Sequence, residues 1–175
     1  RAAGIRWLGY GFESGNDDIL HKIGKRGSAE SIATANMTRL AGIHVGGNFI
    51  FGFEDENHET MRQTLDLALT IMPEWANFHS LMAYPGSRLY REVKDKHPEW
   101  LPASWSGYSQ YSPACKPLPT KYLSSREVLE FRDRAFNVYF TDGRYLDKVE
   151  KTFGAGAKEH IREMTKFELE RKKTV

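Results

Sequence analysis

The chain has 175 residues, 40% of them hydrophobic, which is enough for one sizeable core and argues against a disordered segment. Its 25 Lys and Arg stand against 23 Asp and Glu, and a net charge of +2 gives no basis for a phosphate-tracking nucleic-acid surface. The single cysteine, Cys115, excludes an intramolecular disulfide framework and fits a reducing, cytoplasmic setting.

No apolar run nears the roughly 20 residues of a membrane helix, and no signal-peptide pattern opens the sequence. The chain starts at Arg1 and runs directly into an apolar strand, from which we expect upstream sequence to be missing.

A first strand is expected over Ile5–Phe12, where Leu8, Tyr10 and Phe12 alternate with Trp7, Gly9 and Gly11 and the small-residue parity ends at Glu13. Asp17 and Asp18 begin a short helix that stops at Gly24, followed by the basic loop Lys25-Arg26-Gly27. Ser28 is the expected N-cap of a helix through Ile32, Ala35 and Leu40, closed by Gly42.

A second strand follows over Ile43–Phe53, with Phe49, Phe51 and Phe53 on one parity and Asn48, Ile50 and Gly52 on the other. A face of small residues leaves room for a ligand or another backbone. Asn57 caps a helix whose stripe Met61, Leu65, Ala68, Leu69 and Met72 ends at Pro73. A third strand runs over about Ala76–Ala83 and ends in the turn Tyr84-Pro85-Gly86-Ser87, and a short helix continues through Leu89 and Val93.

Strands alternating with helices predict βαβ units and a parallel sheet. In a barrel the bulky parity faces the helices, and Glu13, Asn48, Ile50, Gly52, Asn77 and His79 face the interior. Ligands of such folds bind beyond the carboxyl ends of the strands.

Residues 97–123 are rich in Pro, Trp and Tyr and read as a packed cover. The capping box Ser124-Ser125-Arg126-Glu127 then opens a helix to Thr141. A short helix over about Arg144–Lys151 and a last one from about Ala157, with Ile161, Met164 and Leu169 apolar, complete the chain. Arg171-Lys172-Lys173 reads as a solvated helix terminus. The expected organisation is a βα core over 1–96, a connecting loop over 97–123 and a helical region over 124–175.

Gly11-Phe12-Glu13-Ser14-Gly15, Lys25-Arg26-Gly27, Ala41-Gly42-Ile43, Gly47-Asn48-Phe49-Ile50-Phe51-Gly52 and Tyr84-Pro85-Gly86-Ser87-Arg88-Leu89-Tyr90 occur in this order and spacing. Together they resemble the second half of a radical S-adenosylmethionine (SAM) core, in the branch that often carries a cobalamin-binding domain upstream. The resemblance implies an α/β fold, a partial TIM-like (βα) barrel holding the last three βα units, followed by an α-helical C-terminal region.

It also implies that Glu13 and Ser14 bind the ribose or methionine of SAM, and that Asn48, Ile50 and Gly52 lie on the adenine-facing strand. Ala83 and Tyr84 would meet the same base, and Lys25 or Arg26 the SAM carboxylate. The family's chemistry needs a CxxxCxxC loop holding a [4Fe-4S] cluster. This chain has only Cys115, so the cluster, any cobalamin and the missing N-terminal half belong to a longer enzyme, and the chain alone is expected to be inactive.

Plainer readings stand beside these. Glu13 could cap the following helix, Asn48 could be a satisfied core amide, and His79 a hydrogen-bonded core histidine. The six histidines lack zinc spacing. Glu54-Asp55-Glu56 needs no more than a helix dipole, and Arg88, Arg126 and Arg132 read as surface or inter-helix pairs. Cys115 is either structural or a hydrogen-atom donor in the full enzyme. Three βα units of another barrel lyase or transferase, or a module docking a partner through its strand edge, are the alternative functions. The small-molecule substrate is not specified by the sequence.

Overall fold

The computed structural model describes residues 1–172. Strands β1 (Trp7–Glu13), β2 (His44–Phe51) and β3 (Trp75–Ser80) alternate with helices α1 (Asp17–Lys22), α2 (Ser28–Leu40) and α3 (His58–Ile71). Helix α4 (Arg88–Lys96), 3₁₀ turns at Pro98–Trp100 and Trp105–Tyr108, and helices α5 (Ser125–Thr141), α6 (Gly143–Phe153) and α7 (Ala155–Met164) follow. The three strands form one parallel sheet in the order β1-β2-β3. A mixed α/β architecture with a parallel sheet is therefore present.

The phenylalanine parity packs against the helices. Phe49, Phe51 and Phe78 are buried, and Phe78 stacks on both Phe49 and Phe51 at centroid distances of 5.6 and 6.0 Å. Phe12 extends the row on β1, while Tyr139 and Phe140 of α5 meet Phe78 edge-on. Each such ring contributes roughly 2–3 kcal/mol by leaving water, so the row fixes which face of every strand turns to the helices. Helix entry is chemically specified as well. Asn57 and Thr60 form a capping box at α3, and Ser124 and Glu127 form one at α5.

The two outer edges of the sheet differ. Along β3 and its flanks, Tyr139 donates to Pro73 O at 2.6 Å and Arg132 Nε donates to Phe78 O at 2.8 Å. The Gln110 amide pairs with both backbone groups of Ser80, and Leu118 N–H donates to Leu81 O. Buried backbone groups need such partners, so this edge is closed by side chains and a loop. On the other side, β1 pairs with no further strand among the described residues, and Ile5, Trp7 and Leu8 are exposed there.

The C-terminus of α3 is held by a partly buried ion cluster in which the Glu74 carboxylate is enclosed and Arg39 and Lys148 are half-exposed. Arg39 Nη2 donates to Ile71 O and Met72 O at 2.8 Å, and Lys148 also donates to Met72 O. The Glu74 carboxylate accepts from Arg39 Nε at 3.1 Å, Lys148 Nζ at 2.8 Å and Val45 N–H at 2.9 Å. Burial pushes the Glu74 pKa up, but Lys148, Val45 N–H and Arg39 more than offset it and hold it below the usual range.

Several expectations are corrected. The N-cap of α2 is Gly27, not Ser28, because the Asp17 carboxylate already accepts from Ser28 N–H at 2.7 Å and does the work of a cap from another helix. Helix α7 ends at Met164, so Leu169 is not one of its apolar positions. The third strand stops at Ser80, three residues earlier than its pattern suggests.

Arg132 is neither a surface nor an inter-helix pair. It is a core residue, donating to β3 and to Asp133. Arg171 is not on a solvated helix end, since it binds Asp133 through two nitrogens and donates to Ser112 O and Gln110 O. Lys173 lies outside the described residues. The loop over 97–123 does pack, but Trp105, Tyr111 and Tyr122 are exposed and its anchors are the buried Gln110, Cys115, Leu118 and Leu123.

Replacing Glu74 by Ala leaves Arg39 and Lys148 facing each other without an anion and strips Val45 N–H of its acceptor. Urea unfolding of Glu74→Ala is expected to show a loss of about 3 kcal/mol with little change in slope, and Glu74→Gln a smaller loss.

Candidate functional site

The face of the sheet opposite the phenylalanines carries rows set by the strand register. Gly9, Gly46 and Trp75 form one row, Gly11, Asn48 and Asn77 the next, and Ile50 and His79 the last. A side chain added at Gly9 would meet nothing within 4 Å, so this part of the face is open. Asn48 donates to Tyr10 O at 3.2 Å and accepts from Asn77 Nδ2 at 3.1 Å. Both polar ends of Asn48 thus have protein partners, while the row keeps a polar character.

At the carboxyl end of β1 the register shifts between Gly11 and Glu13, and Glu13 takes φ 66°. A non-glycine residue in the left-handed region costs about 1–3 kcal/mol and persists where its surroundings hold it. Here the Glu13 carboxylate folds back over Gly11, into the space that any side chain at Gly11 would need. Lys25 Nζ donates to Gly11 O at 2.9 Å and lies 3.6 Å from Glu13 Oε1.

Glu13 does not cap α1, because Asn16 does. Arg26 reaches away, pairing with Glu30 on the surface, so Lys25 is the cation at the strand end. Ser14 is fully buried, with its hydroxyl 3.2 Å from Thr64 Oγ1 and accepting from Asn16 N–H.

Beyond β2 the chain turns through Gly52 at φ 95°. A Cβ there would approach Val128 Cγ1 of α5 to 2.7 Å, so the requirement for glycine comes from helix packing as well as from backbone conformation. Gly52 N–H and Phe53 N–H both donate to Glu56 Oε2, at 2.6 and 3.1 Å. Glu56 is buried and its Oε1 has no partner among the described residues. Burial raises its pKa to about 7 against the pull of the two backbone donors and, more weakly, of the nearby Ser14 hydroxyl.

The acidic triplet is therefore not a group of helix-dipole carboxylates. Asn57 caps α3, Glu56 turns back to tie the end of β2, and Asp55 bridges Lys121 and Lys22. Hydrogen bonds from Lys121 and Lys22 lower the Asp55 pKa to about 2. The clue in the sequence is the spacing, since a carboxylate four residues after a turn glycine can reach back to its N–H.

The expected ligand residues do not meet in one cavity. Ile50 and Tyr84 share a cavity of about 360 Å³ with His79. Gly52 lines a different one of about 330 Å³, together with Leu81, His97, Trp100 and Lys121. Lys25 and Arg26 line a third of about 190 Å³ beside α2. Ala83 lies past the end of β3, buried against Val93 and Leu118. Tyr84 is exposed, 6.2 Å from the Tyr108 ring.

His79 is not a hydrogen-bonded core histidine. It is half-buried and its ring has no hydrogen-bond partner among the described residues. Cys115 is buried beside Met82 and Leu129, and burial raises its pKa, which suits a packing role. Among the described residues no group of three or more His, Cys, Asp or Glu could hold a metal ion, and no helix is long and apolar enough to cross a membrane.

No protein-family profile matches the chain. Curated proteins do. The chain is similar to an uncharacterized methyltransferase of Pyrococcus horikoshii, 28% identical over 149 residues, which cover 85% of the chain and 32% of the relative. It is similar to the bacteriochlorophyllide d C-12(1)-methyltransferase of Chlorobaculum tepidum, 29% identical over 130 residues, covering 73% and 27%. A third relative is the anaerobic magnesium-protoporphyrin IX monomethyl ester cyclase of Cereibacter sphaeroides, 28% identical over 131 residues, covering 74% and 20%. The chain spans about a third or less of the length of these relatives.

Glu56 links stability to pH. Its pKa is about 7 in the fold and near 4.5 when unfolded, so the folded state holds the extra proton between these values. The contribution is fully present below pH 4.5, falls as pH rises through 7 and is constant above. Chemical unfolding from pH 4.5 to 8 is expected to show a decline of order 3 kcal/mol in the parent, which Glu56→Gln flattens.

Proposed function

We propose that this chain is the SAM-facing part of a longer radical SAM enzyme of methyltransferase type, and that its sheet is the last three βα units of a partial (βα)6 barrel. The observation that carries this reading is Glu13, a carboxylate held in a strained left-handed conformation at the carboxyl end of a parallel strand, where such folds bind ligands. Similarity to two methyltransferases and to a cyclase supports the class of chemistry. The open edge of β1 supports further strands from the rest of a longer protein.

The residues present fit SAM in part. The Glu13 carboxylate can accept two hydrogen bonds from a ribose diol, and Lys25 both holds it in place and offers a cation to the SAM carboxylate. Ile50 supplies an apolar wall for adenine, with Tyr84 at its margin. The Gly52–Phe53 turn, tied by Glu56, keeps the end of β2 fixed behind that wall. Ser14 positions the turn after Glu13 from within, through Thr64 and Asn16. When bound, SAM supplies the reactive methyl or adenosyl group, and these side chains orient it.

A [4Fe-4S] cluster does not fit this chain, whose one cysteine is buried among Met82 and Leu129. The cluster, and cobalamin if used, are assigned to the remainder of the longer protein.

Calorimetry of the chain with SAM tests the reading. Weak binding is expected for the parent and a further loss of about tenfold for Glu13→Ala, as for one charge-assisted hydrogen bond. Equal binding by parent and variant would remove Glu13 from the site.

A further inference from the structure

We propose that His79 is an additional contact of the nucleoside site, hydrogen-bonding the bound nucleoside beside the Ile50 wall. This rests on the reading of the concave face as a SAM site.

Three observations carry it. First, His79 is the β3 residue in register with Ile50, on the face opposite the buried Phe78 and Ser80, and both line the same cavity of about 360 Å³. Second, neighbouring polar groups on this face are engaged with each other or with backbone, as in the chain from Asn77 to Asn48 to Tyr10 O. The half-buried imidazole is the exception, and a polar group withdrawn from water gains most from a partner that arrives with a ligand. Third, Gln110, which also lines the cavity, has its amide spent on both backbone groups of Ser80.

The chemistry suits an uncharged heteroaromatic base or a ribose hydroxyl. Burial, and after it the charge of Arg132 behind β3, lower the His79 pKa, so at neutral pH the ring offers one donor and one acceptor. No carboxylate or ammonium lines this cavity, whose other lining residues are Ser80, Leu81, Met82, Tyr84 and Gln110. A charged group would find no counterion there, whereas a flat base with polar edges matches an apolar wall and a neutral imidazole.

The test uses the 175-residue chain with ¹⁵N-labelled histidine and S-adenosylhomocysteine as a stable probe, followed by NMR at pH 7.5. The His79 ring signals, assigned by their loss in His79→Gln, are expected to move on titration. His79→Leu should bind about tenfold more weakly, and His79→Gln within about threefold of the parent because its amide keeps a donor and an acceptor. Unmoved His79 ring signals, or His79→Leu binding as tightly as the parent while Glu13→Ala is weakened, would overturn the proposal and leave the SAM reading standing. If millimolar probe moves no signal of the parent chain, the SAM reading fails and the role of His79 with it. The ring-shift measurement needs no variant beyond the assignment, so it decides the matter even if His79→Leu does not fold.

Discussion

The structure depends on strand parity. Successive side chains of a strand leave opposite faces, and the row Phe12, Phe49, Phe78 and Phe51 commits one face of all three strands to the helices. A slip of one residue would turn these rings into solvent and place Asn48, Asn77 and His79 in the core. The hydrophobic penalty of that exchange fixes the register, and the register brings Gly11, Asn48 and Asn77 into one row and Ile50 and His79 into the next. The polar face is thus a consequence of where the phenylalanines lie.

The strand ends obey a second rule. β1 ends at, and β2 is followed by, a positive-φ residue, Glu13 and Gly52, and in both cases a carboxylate lies against the backbone of the turn. The two carboxylates differ in environment. Glu13 is partly exposed and shares its place with Lys25, while Glu56 is enclosed and has one oxygen unpaired. The first stays accessible to solvent beside its cation, and the second holds the turn.

Most of the architecture was legible in the sequence because it is local. Alternation at Phe49, Ile50 and Phe51, the cap at Asn57 and the box at Ser124 each report a short-range preference that the fold leaves in force. What escaped was set by long-range partners. Gly27 replaced Ser28 as a cap because Asp17 approaches from a preceding helix. Arg132, read as a surface or inter-helix pair, lies in the core because β3 presents a carbonyl to it. Gly52, read as room for a ligand, is glycine because Val128 packs there. At the strand ends, Glu13 stood out in the sequence by its flanking glycines, whereas Glu56 looked like one of three equivalent acids, and only the path of the turn separates it from Glu54 and Asp55.

The side-chain closure of β3 gives the sheet a direction. Phe78 O is taken by Arg132, both backbone groups of Ser80 by Gln110 and Leu81 O by Leu118 N–H, so a strand added on that side would first have to displace the buried guanidinium of α5. On the other flank β1 pairs with no further strand among the described residues, and Ile5, Trp7 and Leu8 are exposed on it, with Trp7 stacked on Phe153 of α6. Among the described residues the sheet is thus asymmetric: a further strand would meet a buried guanidinium on the β3 flank and exposed apolar side chains on the β1 flank.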